Sequence, residues 1–229
     1  MKPKEILLNT QHEKDLVDEF GDDHVTSSYE TPLRPDAFDM SDDEKIKQIE
    51  GHFREIMNIM GLDLNDDSLS GTPKRVAKMF VKEVFSGLNP ANKPHARLFE
   101  NKYKYDQMLV EKDITFYSHC EHHFVPIFGK VHVAYISSGK VIGLSKINRI
   151  VQYYAKRPQV QERLTVQISK ELQKALNTED VGVVVDATHL CVASRGVGDT
   201  NSKTGTAYFM GKFKENQTKN EFLNYINSK

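Results

Sequence analysis

The chain has 229 residues, of which 38% are apolar and 28% charged, with a formal net charge of −1 and two cysteines. This composition fits one large domain, or a compact domain with an extension, and it excludes a disulfide framework. No apolar run is long enough to span a membrane, and Met1 to Phe20 lack the apolar core of a secretory signal, so reduced thiols and a cytoplasmic setting are expected.

The near-zero charge hides an asymmetry. Residues 1–50 carry 14 acidic and 6 basic side chains, a net of −8, whereas residues 51–229 carry 18 and 25, a net of +7. The basic groups of the body are interspersed with acids and make no nucleic-acid footprint, although they suit a small polyanion wherever they converge. Residues 1–40 show no sustained period, and they are expected to form an acidic, flexible extension.

A helical region is expected over residues 41–110. Ser41 and Glu44 have capping-box spacing, and Ile46, Ile49, Phe53, Ile56, Met57 and Met60 follow at helical intervals as far as Gly61. Thr72-Pro73 opens a second helix, with Val76, Phe80, Val84 and Phe85 as its apolar stripe and Gly87 as its end. Residues 89–105 read as loop.

From Ile114 the period changes to that of strands. Lys130 to Ile136 alternates, with Val131, Val133 and Tyr135 on one face and His132, Ala134 and Ile136 on the other. Val141 to Leu144 is expected to extend the sheet, and Ser145 to cap a helix running to Tyr154. Pro158 should open a longer helix on the stripe Val160, Leu164, Ile168, Leu172 and Leu176. Val181–Val185, Thr188–Ser194 and Thr204–Phe213 read as strands, and Asn220–Ile226 as a closing helix. The order predicts an α+β fold with an antiparallel sheet.

Cys120-Glu121-His122-His123, with Cys191 far downstream, is the chemically richest pattern. Thiolate and imidazole are the ligands zinc favours, and three protein ligands leave a position open for water. Cys120, His123 and Cys191 make such a set, while His122 and His189 stand beside it as groups able to move protons. His119 is a rival ligand, ranked below His123 because neighbours on an extended segment point to opposite sides.

Gly143-Leu144-Ser145-Lys146 ends a strand and opens a helix, whose N-terminus attracts phosphate. Ser145 adds a hydroxyl there, Lys146 and Arg149 add charge, and Gly196 beside Arg195 would let a phosphate approach the backbone. Glu162, in the first turn of the long helix, suits either the helix dipole or the edge of a base such as guanine. Spacing alone does not choose between those two roles.

Cys120–Phe124, Gly143–Lys146, Arg157–Leu164, His189–Gly196 and Thr72–Val76 together resemble GTP cyclohydrolase I, in the family's order over roughly residues 42–215. The resemblance implies a tunnelling fold, in which an antiparallel sheet is backed by two helices and subunits assemble into a toroidal homo-oligomer, typically a decamer with active sites at subunit interfaces. Residues 111–229 would then be the catalytic region. It implies GTP as substrate, conversion to 7,8-dihydroneopterin triphosphate with release of formate, and entry to folate or tetrahydrobiopterin synthesis. Zinc would sit on Cys120, His123 and Cys191, with His122 and His189 transferring protons and Ser145 helping later steps. Glu162, supported by Gln161, would read guanine. Lys146, Arg149, Arg195 and Ser145 would hold the triphosphate, joined by Arg75 from a neighbouring subunit, and Glu121 would orient a ligand or a histidine. Two other readings stay open: a related purine- or pterin-binding protein without this hydrolysis, and an assembly protein in which zinc is structural.

Overall fold

The computed structural model describes residues 28–228, so most of the acidic extension expected over residues 1–40 lies outside the described residues. Helix α1 spans Asp42–Ile59 and starts in the predicted capping box: Ser41 Oγ accepts from the Glu44 N–H, and the Glu44 carboxylate accepts from the Ser41 N–H. Ile46 and Met57 are buried, but Ile56, Ile59 and Met60 of the same helix end are exposed. Helix α2, Thr72–Met79, has Pro73 in its first turn and widens into a π-helical turn over Phe80–Val84. Within this stretch Ala77 and Phe85 are buried, whereas Val76, Phe80 and Val84 are only half covered.

The stretch 89–105 is not all loop. Strand β1 (Leu98–Glu100) pairs with β4 (Lys140–Ile142) as a separate ribbon. Val141 therefore does not extend the main sheet, because Gly139, at φ +117°, turns the chain away after Ile136.

The main sheet contains β2 (Met108–Cys120), β3 (Pro126–Ile136), β5 (Pro158–Gln159), β6 (Val181–His189) and β7 (Thr204–Phe209). Their order is β5-β2-β3-β6-β7, antiparallel throughout except for β5 on β2. Helices α3 (Leu144–Ala155) and α4 (Gln161–Leu176) cover one face. Ile147, Ile150, Leu164, Ile168, Leu172 and Leu176 bury there against Phe116, Val131, Val133, Tyr135, Val183 and Val185. The other face carries α5 (Asn216–Asn227), where Phe213 and Phe222 pack on Met108 and Ala134. Each face of β3 thus has its own core, which is why His132 and Ala134 are as buried as their alternates.

Four local expectations need correction. Gly143 is the N-cap of α3 and Ser145 lies inside its first turn, with no side-chain cap. Pro158 does not open α4; with Gln159 it pairs beside His119 and Cys120, and the helix starts at Gln161. Strand β6 stops at His189 and Leu190–Ala193 forms one helical turn, because β3 begins at Pro126 and offers no partner past the Ile127–His189 pair. Strand β7 stops at Phe209 because Gly211, at φ +53°, turns the chain so that Phe213 lies over Gly182, where a Cβ would meet the ring at 2.8 Å.

Candidate active site

The alternation of β2 places Ile114, Phe116, Ser118 and Cys120 on the core side, so the thiol arrives buried at the strand's end. The chain then reverses in a tight loop. Cys120 N–H donates to the Val125 carbonyl and Phe124 N–H to the Cys120 carbonyl, both at 2.9 Å, with Phe124 at φ +54°. An aromatic residue is uncommon in that left-handed region. Its ring is held by Phe80 and Phe85, with centroids 6.4 and 5.1 Å away.

The one-turn helix after β6 brings Cys191 to this loop. The donor atoms of Cys120, His123 and Cys191 lie within 4.8 Å of one another, the one such group among the described residues. Ligands sharing a tetrahedral zinc stand roughly 3.3–3.8 Å apart, so a contraction of about 1 Å would close the set. Burial, together with the neighbouring Cys120, pushes the Cys191 thiol up to about 11. A cation that replaces the thiol protons removes that penalty, so the donors suit a thiophilic metal in chemistry as well as position. His122 Nδ1 is also near Cys120 Sγ, at 3.7 Å, but His122 is outside the converging three. His119 is outside it too: its ring lies against Phe85 and its Nδ1 is buried without a hydrogen-bond partner. Arg195 donates from Nη1 to His123 Nε2 at 2.8 Å.

The first turn of α4 faces this group. Gln161 is buried, and its Nε2 donates to the Val185 carbonyl at 3.0 Å and the Thr204 carbonyl at 2.8 Å. Its Oε1 stands 2.7 Å from His189 Nε2. An amide oxygen only accepts, so His189 presents an N–H there. Burial lowers the His189 pKa, and the charge of Glu162 opposes that shift. Glu162 itself is exposed and borders a cleft of about 420 Å³ lined by Ser28, Tyr29, Val160, Arg163 and Val166. The sequence assigned no role to Arg163, yet its guanidinium grips Glu121 inside the Cys120–His123 loop. The signal that could have found it is a cation in a helix's first turn, where the dipole favours an anion.

Ser145, Lys146 and Arg149 are elsewhere. Helix α3 lies along β2, with Asn148 Nδ2 at 3.3 Å from Glu111 Oε1 and Gln152 Nε2 at 2.7 Å from the Thr115 carbonyl. Its first turn is therefore beside Glu111, nine residues before Cys120 and beyond the register shift between Glu111 and Ile114, a separation of at most roughly 30 Å along the strand. Arg75 is exposed on α2 with its guanidinium folded over Gly71. A single chain thus brings together Cys120, His122, His123, Gln161, Glu162, His189, Cys191 and Arg195, but not the basic residues of α3.

Comparison with known proteins identifies the company this site keeps. The model of the family GTP cyclohydrolase I matches residues 49–227. GTP cyclohydrolase 1 of Flavobacterium johnsoniae is 64% identical over 213 residues, covering 93% of this chain and 96% of its own. The enzymes of the same name from Citrobacter koseri and Escherichia coli K12 are 53% and 54% identical over 203 residues, each covering 88% of this chain and 91% of the relative. A solved structure, the archaeosine synthase QueF-Like in the apo form, aligns with 45% of this chain and 93% of its own, at 21% identity and a TM-score of 0.38, too slight a likeness to bear on the argument.

Proposed function

The chain belongs to the GTP cyclohydrolase I family, and from that premise we propose how its residues divide the work. The activity is that of a GTP cyclohydrolase. The convergence of Cys120, His123 and Cys191 carries the reading of the site: these three hold zinc, with one position left open. When bound, the ion supplies a Lewis acid and brings the pKa of a coordinated water towards neutrality.

The chain's own residues do the rest. His122, beside the ligand set, delivers a proton to purine N7 as the imidazole ring opens at C8. His189, held by Gln161, moves protons in the later steps, with Ser145 as helper. Gln161 spends both ends of its amide inside the protein, so its part in reading guanine is to fix its neighbours. Glu162 accepts from the N–H groups of the guanine edge, as an exposed carboxylate at the mouth of a cleft can. Arg195 binds phosphate: a metal on His123 Nδ1 would put the ring proton on Nε2 and end the present Arg195–His123 contact, turning the guanidinium towards substrate.

Ser145, Lys146 and Arg149 reach the triphosphate from a second subunit, and Arg75 from a neighbour as well. The separation of at most roughly 30 Å between the start of α3 and Cys120 supports this division, since one chain spans it only along the sheet. The exposed apolar end of α1, Ile59 and Met60, supports a homo-oligomer, which we take to be the toroidal decamer of the tunnelling fold. The product is 7,8-dihydroneopterin triphosphate, with formate released, at the entry to folate or tetrahydrobiopterin synthesis. Among the described residues no helix is long and apolar enough to cross a membrane, and we place the enzyme in the cytoplasm.

The test is to incubate the purified protein with GTP, following formate and the fluorescence of the oxidised pterin while measuring bound zinc. Turnover that disappears on chelation and returns with zinc is expected. A protein carrying stoichiometric zinc without turnover would overturn the catalytic reading in favour of a structural metal.

A further inference from the structure

Arg163 is placed where helix stability gives it no reason to be. Its side chain is 3% exposed, in the first turn of α4, where burial penalises the charge and the helix dipole opposes it. All three kinds of guanidinium nitrogen are engaged. Nη1 and Nη2 donate to the two carboxylate oxygens of Glu121, the latter at 3.1 Å, and Nε donates to the Ser28 carbonyl at 2.7 Å. A bidentate fork fixes both distance and orientation, which a single contact does not.

Glu121 stands between Cys120 and His122. Its backbone N–H donates to the Gln159 carbonyl at 3.1 Å, continuing the pairing of Cys120 with Gln159 that brings β5 beside β2. Its carboxylate lies 3.8 Å from His122 Nε2. The loop holding two of the three metal ligands is thus tied to the start of α4 twice, through the main chain and through the Arg163 fork. That same helical turn carries Gln161, which fixes His189, and Glu162. Three consecutive side chains of one turn address the proton-transfer histidine, the base-binding cleft and the metal loop.

We propose that Arg163 and Glu121 are positioning residues that set the geometry of the Cys120–His123 loop, and hence the metal's affinity and its spacing from Glu162 and His189. This rests on the assignment of zinc to Cys120, His123 and Cys191. Partners that orient metal ligands in this way are typically worth roughly 10- to 100-fold in metal affinity or activity. Glu121 lies outside the cleft beside Glu162, and Arg163 at its wall spends its guanidinium on Glu121 and Ser28 rather than on substrate, so kcat should fall with little change in the KM for GTP.

The experiment compares Glu121→Gln and Arg163→Lys with the parent, after melting and sedimentation have established that each variant is folded and assembled. Zinc affinity is read by competition with a chromophoric chelator, and ligand geometry by the visible spectrum of the cobalt-substituted protein. Both variants should bind zinc about 10- to 100-fold more weakly and shift the cobalt bands. Folded variants with the parent's zinc affinity and spectrum would overturn the proposal, as would a change in Glu121→Gln with none in Arg163→Lys. Should the single variants fail to fold, the neutral pair Glu121→Gln with Arg163→Met removes the buried charge; weakened metal there supports the proposal and parental binding overturns it. Cys191→Ser on the parent background separates the two levels, because stoichiometric zinc in that variant would refute the ligand set itself.

Discussion

The two ends of β2 differ in what one chain assembles there. At the Cys120 end one chain suffices: the Cys120–His123 loop, the turn after β6 and the first turn of α4 meet, and polar atoms such as those of Gln161 are satisfied there. At the Glu111 end the basic start of α3 stands on the same sheet, with Ser145 and Arg149 exposed. In the proposed reading a nucleoside triphosphate draws on both ends, one for the base and one for the phosphates. A single copy holds them at opposite ends of β2, which pairs with β3 from Met108 to His119 with one register shift between Glu111 and Ile114. Under the proposed division of the site, assembly is part of the active site rather than an addition to it.

The largest effect should come from breaking the self-contained end. Cys191→Ser is expected to abolish both zinc binding and turnover, measured by metal analysis and formate release. Retention of zinc would mean that the three converging donors are not the ligand set. His122→Ala tests the same end more finely: it should keep its zinc while turnover falls by roughly 10²- to 10⁴-fold, the range for general acid catalysis. If His122→Ala loses the metal while His123→Ala keeps it, the two histidines exchange roles.

Glu162→Gln sits at the border between the halves. It should weaken GTP binding and its discrimination from ATP by roughly 10- to 100-fold, the worth of a hydrogen bond to a charged group. Unchanged selectivity would leave Glu162 as an acid that merely suits the helix dipole. The smallest effect is the sharpest test of the comparison. Cys191→Ser and Arg149→Ala, each inactive alone, should recover about one quarter of parental turnover when reassembled together, because random mixing leaves that share of interfaces with both halves intact. No recovery would place both halves in one chain.

Much of this was legible in local sequence. The capping box at Ser41, the stripe Leu164, Ile168, Leu172 and Leu176, and the alternation through β3 follow from periodicities that packing then obeys. Errors fell at element ends. Pro158 has the composition of a helix start, yet it pairs beside Cys120 because the edge of β2 was open to it. Thr188 to Ser194 has the composition of a strand, yet it curls after His189 because its neighbour had run out. Pairing partners decide such boundaries, and they lie far away in the chain.

The candidate site divides in the same way. Residue chemistry and short spacing singled out Cys120 and His123 as a pair suited to a metal, Cys191 as a second sulfur donor, and Ser145, Lys146 and Arg149 as a helix start suited to an anion. Those properties belong to side chains and to separations of a few residues, which the backbone fixes locally. Only the tertiary structure decided that Cys191 reaches the Cys120 loop, that Gln161 holds His189, that Arg163 grips Glu121, and that the start of α3 lies at the opposite end of β2. Each of these is a distance between residues remote in sequence. Such distances depend on strand register and on the direction in which a helix crosses a sheet, and no local period encodes either.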